Sequence, residues 1–407
     1  MSLLKGNAIV GQSGGPTAAI NATLAGVIRG ALAHSDIIEK IYGMKNGIEG
    51  FLKENIIDLS FVCSDEENLS TLELTPAAAL GSCRKKLKSV DVDGETYSQL
   101  LSLFKKYDIR YFFYIGGNDS MDTVQKLSQF MVDYDYEMRI IGVPKTVDND
   151  LEVTDHTPGF GSAAKFVATT IKEIRRDINV YTVKAVTIVE IMGRDAGWLT
   201  AASALPSVTK DGPDLIYLPE VAFDPEKFIL DVNKCLEDHP AVLVAVSEGI
   251  RLANGDYVGA SAEAVDAFGH KALSGAGKVL ENLIKNRIGC KVRSIELNLP
   301  QRCSAHVASL TDISESINTG RSAVDHAING ETAKMIIMRR NSEAEYGISF
   351  DSADISSIAN AVKTVPKHYI NQEENGVTEE CVKYLMPLII GEVSPTYENG
   401  MPKHIVF

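Results

Sequence analysis

The 407-residue sequence is poor in positive charge and has no long apolar run. It contains 40 Lys and Arg residues against 54 Asp and Glu residues, a formal net charge of −14. Since nucleic-acid binding depends mainly on neutralising phosphates with basic side chains, this balance predicts no nucleic-acid partner. No stretch of about 18 or more apolar residues occurs, which predicts no membrane span. The first six residues lack the pattern of a secretory signal, so we expect a cytoplasmic protein.

Cysteine and histidine are scarce, and neither occurs at a metal-binding spacing. None of the six cysteines forms a C-x-x-C pair, and the eight histidines form no closely spaced pair. Such spacings are typical of zinc and redox sites, so the sequence predicts neither. The P-loop pattern G-x-x-x-x-G-K-[ST] is also absent. The nearest approach to a dinucleotide fingerprint, residues 159–164, follows a polar loop rather than a strand and predicts no NAD site.

A short apolar strand, a glycine-containing turn and a helix recur along the chain. The predicted strands are residues 7–10, 109–115, 139–143, 183–191 and 241–246. Strands that alternate with helices predict an α/β fold of doubly wound domains, with mostly parallel sheets and flanking helices. Apolar residues at helical spacing run from Ile20 to Ala31, and Pro16 suits a first helical turn. Residues from about 355 onward are expected to form a helical extension.

Polar clusters follow the predicted strands, where open α/β sheets bind their ligands. Gly14-Gly15 can hold a phosphate on glycine N–H groups, although a plain tight turn fits equally well. Asp148 and Asp150 lie two residues apart, just after Lys145. Close carboxylates raise each other's pKa unless a cation compensates, which indicates a metal or cationic ligand. Phosphoryl transfer uses such a set of base, metal and positive charge, whereas a solvated Asn-Asp turn is the alternative.

Two further clusters can bind phosphate groups, and the second of them suits a sugar phosphate. The basic run of residues 81–88 is either a solvated helix face or a receiver of phosphate. Gly193-Arg194 and Glu248 each follow a predicted strand, which would bring a guanidinium and a carboxylate to one crevice. Arginine suits the phosphate and the carboxylate suits sugar hydroxyls. The alternative for Glu248 is a position beside a helix N-terminus, stabilised by the helix dipole.

Jointly, the motifs resemble the phosphofructokinase family in order and approximate spacing over about residues 5–330. They are G-G-P-T-A-A-I-N (14–21), L-G-S-C-R (80–84), G-G-N-D-S (116–120), P-K-T-V-D-N-D (144–150), M-G-R-D-A-G-W (192–198), S-E-G (247–249) and Q-R (301–302). The resemblance implies a donor domain of residues 1–159 plus about 302–349. It also implies a fructose 6-phosphate domain of residues 160–301 plus about 350–407, with a helical C-terminal extension. A homodimer or homotetramer with sites shared between subunits is expected.

The resemblance also implies roles for the matching residues. Asp148 is expected to take the proton from the sugar 1-hydroxyl, Thr146 to contact the transferring phosphoryl group, and Arg194 to lie near the reacting centre. Fructose 6-phosphate is expected to contact Met192, Gly193, Arg194, Glu248, Arg302, Thr146 and Asp148. The phosphoryl donor is expected to contact Gly14, Gly15, Arg84 and Gly117. Mg²⁺ is expected to bind Asn118 and Asp150.

Two positions bear on the choice of donor. Family members that use ATP resemble G-G-D-G and P-G-T-x-D, and this chain has Asp119 and Lys145 where those motifs have glycine. In the family this pair marks pyrophosphate users, for which the reaction is near-reversible and serves glycolysis and gluconeogenesis. The physics fits, because Asp119 would repel the inner phosphate of a nucleotide. Lys145 would compensate charge on a diphosphate that lacks adenosine contacts.

The chain departs from the family pattern at three places. Asn118 stands where most members have a metal-binding Asp, and an amide oxygen is a weaker Mg²⁺ ligand than a carboxylate. Ala185 replaces an Arg that reaches the neighbouring subunit's substrate, with Lys184 as a plausible substitute. Leu299-Pro300 replaces a common His or Tyr before Q-R, for which Arg293 could compensate.

Three other functions compete with a pyrophosphate-dependent phosphotransferase. An ATP-dependent phosphofructokinase is the first, and a catalytically silent regulatory subunit of the same fold, suggested by Asn118, is the second. A nucleotide- or lipid-type kinase that shares only a G-G-D-G-like turn would explain neither residues 144–150 nor residues 192–198.

Overall fold

The computed structural model of the protein describes residues 4–63, 65–265, 271–273, 275–342, 345–358 and 361–407. The β-strands are β1 Gly6–Gln12, β2 Ile38–Met44, β3 Ile56–Asp58, β4 Ile109–Gly116, β5 Arg139–Pro144, β6 Ala185–Ile191, β7 Leu215–Tyr217, β8 Ala241–Ser247, β9 Ala260–Val265, β10 Lys271–Leu273, β11 Lys291–Glu296, β12 Lys334–Arg340, β13 Ile348–Asp354, β14 Tyr397–Glu398 and β15 Met401–Pro402. The α-helices are α1 Ile20–Ala33, α2 Gly47–Phe51, α3 Leu59–Val62, α4 Glu66–Glu73, α5 Val90–Lys106, α6 Asn118–Val132, α7 Phe160–Ile178, α8 Trp198–Ala202, α9 Pro225–Asp238, α10 Ala276–Arg287, α11 Pro300–Cys303, α12 Leu310–Ile328 and α13 Glu379–Leu385. Across the described part of the chain, none of these helices combines the length and apolar character that crossing a bilayer requires.

Seven strands form the first sheet, in the order β13-β12-β5-β4-β1-β2-β3. The strands pair in parallel from β12 to β2, and the two edge strands β13 and β3 are antiparallel to their neighbours. In β4 every residue except Arg110 is buried. A strand covered on both faces needs a nearly continuous apolar run, which is why I-R-Y-F-F-Y-I was recognisable as a strand.

Four parallel strands form the second sheet, in the order β11-β6-β8-β7. All seven residues of β8 are buried, because α7 and α8 cover one face of the sheet and α9 and α10 cover the other. The predicted α/β class, with two doubly wound, mostly parallel sheets and flanking helices, is therefore confirmed.

The first helix starts later than the sequence pattern predicts. Helix α1 begins at Ile20, so Pro16 lies in the preceding loop rather than in a first helical turn. The Thr17 side chain explains the delay, since its Oγ1 accepts a hydrogen bond from the Ala19 N–H at 3.2 Å. This turn keeps residues 14–19 free of the helix, with Gly14 and Gly15 facing the carboxyl ends of the strands.

The C-terminal segment, residues 361–407, is less helical than expected. Among its described residues α13 is the α-helix, and the rest is irregular chain, 3₁₀ turns and the β14–β15 hairpin. Pro366 and Pro387 lack the N–H that a helix interior needs, and Gly376 has low helix propensity. The segment packs with Cys381 and Leu385 in the core beside α7 and α8. It then returns to the first sheet, where the Phe407 carbonyl accepts a hydrogen bond from Lys45 Nζ at 2.8 Å.

Candidate active site

One cleft of about 470 Å³ opens at the carboxyl ends of both sheets. Its lining includes most residues that the sequence singled out: Gly14, Gly15, Arg84, Gly117, Asn118, Asp119, Lys145, Thr146, Asp148, Asp150, Met192, Arg194, Glu248 and Arg302. Gly193 adjoins the cleft through a hydrogen bond to Glu248. Lys184 is not brought to this cleft: it is exposed just before β6, at the opposite end of that strand.

The Gly14-Gly15 turn is held against the basic run and against Lys145. The Gly14 N–H donates to the Cys83 carbonyl at 3.1 Å, and the Ser82 hydroxyl donates to the Gly14 carbonyl at 2.6 Å. Lys145 Nζ donates to the Gly15 carbonyl at 2.5 Å. Gly14 has φ of +75°, a region that favours glycine, and a Cβ built on it would lie 3.4 Å from Lys145 Nζ. The turn therefore holds an ammonium at the edge of the cleft, while the Gly14 N–H, expected to meet a phosphate, is bound to the Cys83 carbonyl.

Lys145 is the most enclosed cation of the cleft, with 3% of its surface exposed. Burial lowers the pKa of its ammonium to about 8, while the nearby Asp150 and Asp148 carboxylates limit the fall. Its backbone N–H donates to the Gly116 carbonyl at 3.0 Å, which links it to the end of β4. The side chain is thus fixed between the Gly14-Gly15 turn and the two carboxylates.

Asp148 and Asp150 lie in the loop of residues 145–156, which we call the Asp148 loop. Burial raises the pKa of Asp148 to about 7, with Asp150 and Glu248 acting in the same direction and Lys145 and Arg302 opposing. Burial also raises the pKa of Asp150, against a hydrogen bond with the Thr146 hydroxyl. A carboxyl group with a pKa near neutrality can accept and release a proton at physiological pH, as a general base must.

The basic run is not helical, and it faces the cleft. Residues 81–89 are irregular, which removes the interpretation as a solvated helix face. Arg84 and Lys85 line the cleft, and Lys86 Nζ pairs with Asp119 Oδ1 at 2.7 Å. The sequence pattern assigns no individual role to Lys86, because it does not show which member of a basic run forms an ion pair with a residue far away in the chain.

Glu248 is fixed by backbone groups at the ends of β6 and β8. The Gly193 N–H donates to Glu248 Oε1 at 3.3 Å, and the Glu248 N–H donates to the Ile191 carbonyl at 2.9 Å. Gly193 has φ of +135°, and a Cβ there would lie 2.5 Å from the Ala196 carbonyl oxygen, so a side chain is excluded. A turn, not a helix, follows Glu248, so the helix-dipole interpretation is wrong.

Arg302 lies closer to the donor side of the cleft than its expected role suggests. A Cβ built on Gly15 would be 3.1 Å from Arg302 Nη1, so the guanidinium lies against the glycine turn. Its charge also lowers the pKa of Asp148 and of Glu248, against the effect of burial. A guanidinium in this place can interact with anions on either side of the reacting centre.

Several cleft residues were given no individual role from the sequence, although most of them lie inside a quoted motif or the basic run. They are Ser13, Pro16, Cys83, Lys85, Tyr114, Ser120, Thr123, Val147, Asp195 and Val362. Ser13 and Ser120 hydrogen-bond each other across the ends of β1 and β4; Ser13 precedes the motif of residues 14–21, and Ser120 ends the motif of residues 116–120. Val362 had no sequence signal, since it belongs to the C-terminal segment, beyond every motif. It also lines a second, adjoining cleft of about 1110 Å³ that shares Arg194 and Asp195 with the first.

Asn118 carries an unsatisfied polar atom. Its Oδ1 is buried and accepts no hydrogen bond. A buried carbonyl oxygen without a partner is unfavourable, and this one lies in the cleft, where it is available to a ligand or an ion. In the described ranges no three His, Cys, Asp or Glu side chains converge as a metal-binding group.

The end of the Asp148 loop carries a buried ion network centred on His156. The ring of His156 is 1% exposed, with Nδ1 2.8 Å from Asp155 Oδ2 and Nε2 2.7 Å from Glu315 Oε2. Burial opposes the imidazolium charge, but the hydrogen bonds to Asp155 and Glu315 raise the pKa of His156 to about 9. Arg340 contacts Asp155 from the other side at 3.0 Å. The network holds the end of the loop against α12 and β12.

The raised pKa of His156 predicts a loss of stability at alkaline pH. The folded-state pKa of about 9 exceeds the ordinary 6.5, so the stabilisation is complete below about pH 6.5 and is lost as the pH rises through 9. We expect His156→Gln to be less stable than the natural protein by about 2–3 kcal/mol at pH 6, with the difference shrinking toward pH 9.5. Urea unfolding at pH 6.0, 7.5 and 9.5 measures the difference in free energy of unfolding between the variant and the natural protein. The control is His368→Gln, an exposed site, and a pH-independent difference for His156→Gln contradicts the prediction.

Comparisons with known proteins agree with the motifs. The family model described as phosphofructokinase matches residues 7–327. The chain is 42% identical over 400 residues to a pyrophosphate–fructose 6-phosphate 1-phosphotransferase from Halomonas elongata, covering 98% of this chain and 95% of that protein. A similar relative from Methylococcus capsulatus, with the same name, is 40% identical over 402 residues, 98% of this chain and 95% of that protein.

A solved structure shows the same architecture along the whole chain. The crystal structure of a pyrophosphate-dependent phosphofructokinase from Nitrosospira multiformis matches with a TM-score of 0.89 at 38% identity. The match covers 98% of this chain and 96% of that chain. The fold, the cleft and these matches together show that the chain belongs to the phosphofructokinase family.

Proposed function

We propose that the protein transfers a phosphoryl group from pyrophosphate to the 1-hydroxyl of fructose 6-phosphate. The products are fructose 1,6-bisphosphate and phosphate, and the reaction is reversible, serving glycolysis and gluconeogenesis. The observation that carries the proposal is that Lys145, Asp119 and Asp148 line one cleft. The names of the full-length relatives from Halomonas elongata and Methylococcus capsulatus support it.

The chemistry follows from the positions of the charges. Asp148 accepts the proton of the sugar 1-hydroxyl. The oxygen of that hydroxyl then attacks the nearer phosphorus of pyrophosphate, and phosphate leaves. Lys145, held at the Gly15 carbonyl, neutralises charge on the donor, and Arg194 stabilises the phosphoryl group during transfer. Fixed positive charges in a partly enclosed cleft stabilise such a transition state without reorganisation.

The donor occupies the side of the cleft built by the first sheet, and the sugar occupies the side built by the second. Gly14, Gly15, Gly117 and Arg84 contact pyrophosphate, whereas Met192, Gly193, Glu248 and Arg302 bind fructose 6-phosphate with Thr146 between them. We accordingly retain a donor domain of residues 1–159 plus about 302–349 and a sugar domain of residues 160–301 plus about 350–407. Strand β13, which continues to Asp354 in the first sheet, moves that last boundary a few residues further along the chain.

The acidic oxygens of the cleft fit a Mg²⁺ ion. Mg²⁺ in phosphoryl-transfer sites is held by one or two carboxylates together with substrate phosphates and waters. The unsatisfied Oδ1 of Asn118 and the Asp150 carboxylate are the proposed ligands. When bound, the ion would neutralise charge on the donor phosphates.

Lys184 and the basic residues beside it are proposed to act between subunits. Lys184 is exposed before β6, and Lys291 and Arg293 lie near it on the edge strand β11. Arg293 is therefore outside the cleft in which it was expected to compensate for Leu299-Pro300. We propose that they reach the sugar phosphate of a neighbouring subunit in a homodimer or homotetramer. A cytoplasmic location and the lack of nucleic-acid and membrane partners likewise stay predictions.

Two alternatives differ in the donor or in activity. An ATP-dependent phosphofructokinase would require room for adenosine past Asp119 and Lys145. A catalytically silent subunit rests only on Asn118, while Asp148, Lys145 and Arg194 are all present in the cleft.

A donor assay tests the proposal. Purified protein is given fructose 6-phosphate, Mg²⁺ and either pyrophosphate or ATP, and fructose 1,6-bisphosphate is measured. We expect turnover with pyrophosphate and at most about a hundredth of that efficiency with ATP, a difference of about 2.7 kcal/mol in transition-state binding. The reverse preference would establish the ATP-dependent alternative, and turnover with neither donor would favour the silent subunit.

A further inference from the structure

The residue between Asp148 and Asp150 is held by the C-terminal segment of the chain. Asn149 is fully buried and adopts φ of +54°, a left-handed conformation. Its side-chain Oδ1 accepts a hydrogen bond from Lys363 Nζ at 3.2 Å, and its Nδ2 donates to the Tyr384 hydroxyl at 3.2 Å. Both ends of one amide are therefore satisfied by the C-terminal segment.

Lys363 makes further contacts along the same loop. Its ammonium donates to the carbonyls of Thr154 at 3.0 Å and Asp155 at 2.8 Å, and its backbone N–H donates to the Asp150 carbonyl at 2.9 Å. The Tyr384 hydroxyl also donates to the Asp155 carbonyl, at 2.6 Å. The side chains of Lys363 and Tyr384 thus hold the Asp148 loop both at Asn149, between the two cleft carboxylates, and at its end.

Lys363 also joins this loop to the sugar side of the cleft. Its carbonyl accepts a hydrogen bond from Trp198 Nε1 at 3.1 Å, and its ammonium lies 5.4 Å from the centre of the indole ring. Trp198 begins α8, four residues after Arg194. A single side chain and its peptide group therefore connect the proposed base with the segment that carries the proposed phosphate-binding arginine.

We propose that Lys363 and Tyr384 are positioning residues, which hold the Asn149 amide so that Asp148 and Asp150 point into the cleft. The inference rests on the proposed function, because it assigns the reason why the base is oriented. A left-handed non-glycine residue is strained and persists only where its surroundings hold it. Without the two contacts, the loop can relax at Asn149 and turn both carboxylates away from the substrate.

The expected effect is on the rate of the chemical step. A misplacement of about 1 Å in a reacting group can lower the rate about 100-fold. We expect Lys363→Met, which keeps the backbone contacts and most of the side-chain volume, to lower kcat about 10- to 100-fold. Because neither residue contacts substrate in this arrangement, the KM values for both substrates should stay within about twofold. Tyr384→Phe should have a smaller effect and lower kcat about threefold to tenfold, because the side-chain Oδ1 of Asn149 keeps its hydrogen bond from Lys363.

The matched control is Lys383→Met, which removes an exposed ammonium from the same segment, where it pairs with Glu379 at the protein surface. This control should retain the kcat of the natural protein. The double variant Lys363→Met with Tyr384→Phe should lose less than the product of the two single effects, since both act on one amide. If Lys363→Met does not fold, the kcat of Tyr384→Phe tests the inference by itself.

The measurements separate this inference from the donor assignment. The natural protein is first assayed with pyrophosphate and with ATP, and each variant is then compared using the donor that supports turnover. Unchanged kcat in both single variants would overturn the inference, as would a raised KM at unchanged kcat. If neither donor supports turnover, a crystal structure of Lys363→Met decides: displaced carboxylates at residues 148 and 150 support the inference, and superposable ones overturn it.

Discussion

Asp148→Asn is expected to lower kcat with pyrophosphate at least about 100-fold, because removal of a general base costs between about 100- and 10,000-fold. The substitution preserves shape and removes only the ability to accept a proton. Asp148 is flanked by Lys145 and Asp150, and burial with Asp150 raises the pKa of its carboxyl to about 7. Burial also raises the pKa values of Asp150 and Glu248 in the same cleft, but Asp150 is a proposed Mg²⁺ ligand and Glu248 accepts a hydrogen bond from the Gly193 N–H.

The kinetic pattern distinguishes a base from a binding residue. The KM values for fructose 6-phosphate and pyrophosphate should change by no more than about threefold, because the amide can still hydrogen-bond. Initial rates of fructose 1,6-bisphosphate formation, measured with saturating substrates, give kcat. Asp135→Asn, at an exposed position, serves as the control for a lost surface charge. An Asp148→Asn protein with more than a tenth of the natural kcat would show that another group takes the proton.

The strands and the cleft were predictable because each depends on short-range sequence features. Strand β4 is buried on both faces, so it needed an apolar run that is legible in seven consecutive residues. Gly14 and Gly193 both have positive φ, and Gly193 has no room for a side chain, so glycine marks these turns for a physical reason. Parallel strands then bring their polar ends to one edge of each sheet, so Asp148 follows a strand of the first sheet and Glu248 follows a strand of the second. The packing of the two sheets brings these two edges to one cleft.

The supporting contacts could not be predicted, because they join distant parts of the chain. Lys363 and Asn149 are 214 residues apart, and nothing in the sequence near either residue identifies the other. The pairing of Lys86 with Asp119 is similar: both motifs were recognised, but the irregular path of residues 81–89 decides which lysine reaches the carboxylate. The C-terminal segment was expected to be a helical extension, whereas its fold is set by tertiary packing against α7, α8 and the Asp148 loop.

The second large effect is expected for the double variant Lys145→Gly with Asp119→Gly, which should reverse the preference between donors. Loss of the buried ammonium at the Gly15 carbonyl removes charge compensation from pyrophosphate, and we expect its kcat/KM to fall at least about 1000-fold, or about 4 kcal/mol. Loss of the Asp119 carboxylate removes both a repulsive charge and the ion-pair partner of Lys86, whose ammonium then faces a nucleotide phosphate. We expect kcat/KM with ATP to rise about 10- to 100-fold, or about 1.4–2.7 kcal/mol.

The single variants Lys145→Gly and Asp119→Gly separate the contribution of each charge to pyrophosphate use and to the exclusion of ATP. Lys145→Gly alone should lose pyrophosphate activity without gaining much with ATP, because Asp119 still repels the inner phosphate. Asp119→Gly alone should keep most of the pyrophosphate activity, because Lys145 still contacts the glycine turn. Since Lys145 lowers the pKa of Asp148, the variants should be assayed from pH 7 to 9 so that a protonated base is not mistaken for poor donor binding. A double variant that still strongly prefers pyrophosphate would mean that the exclusion of ATP arises elsewhere, in the shape of the cleft beyond Asp119 rather than in these two charges.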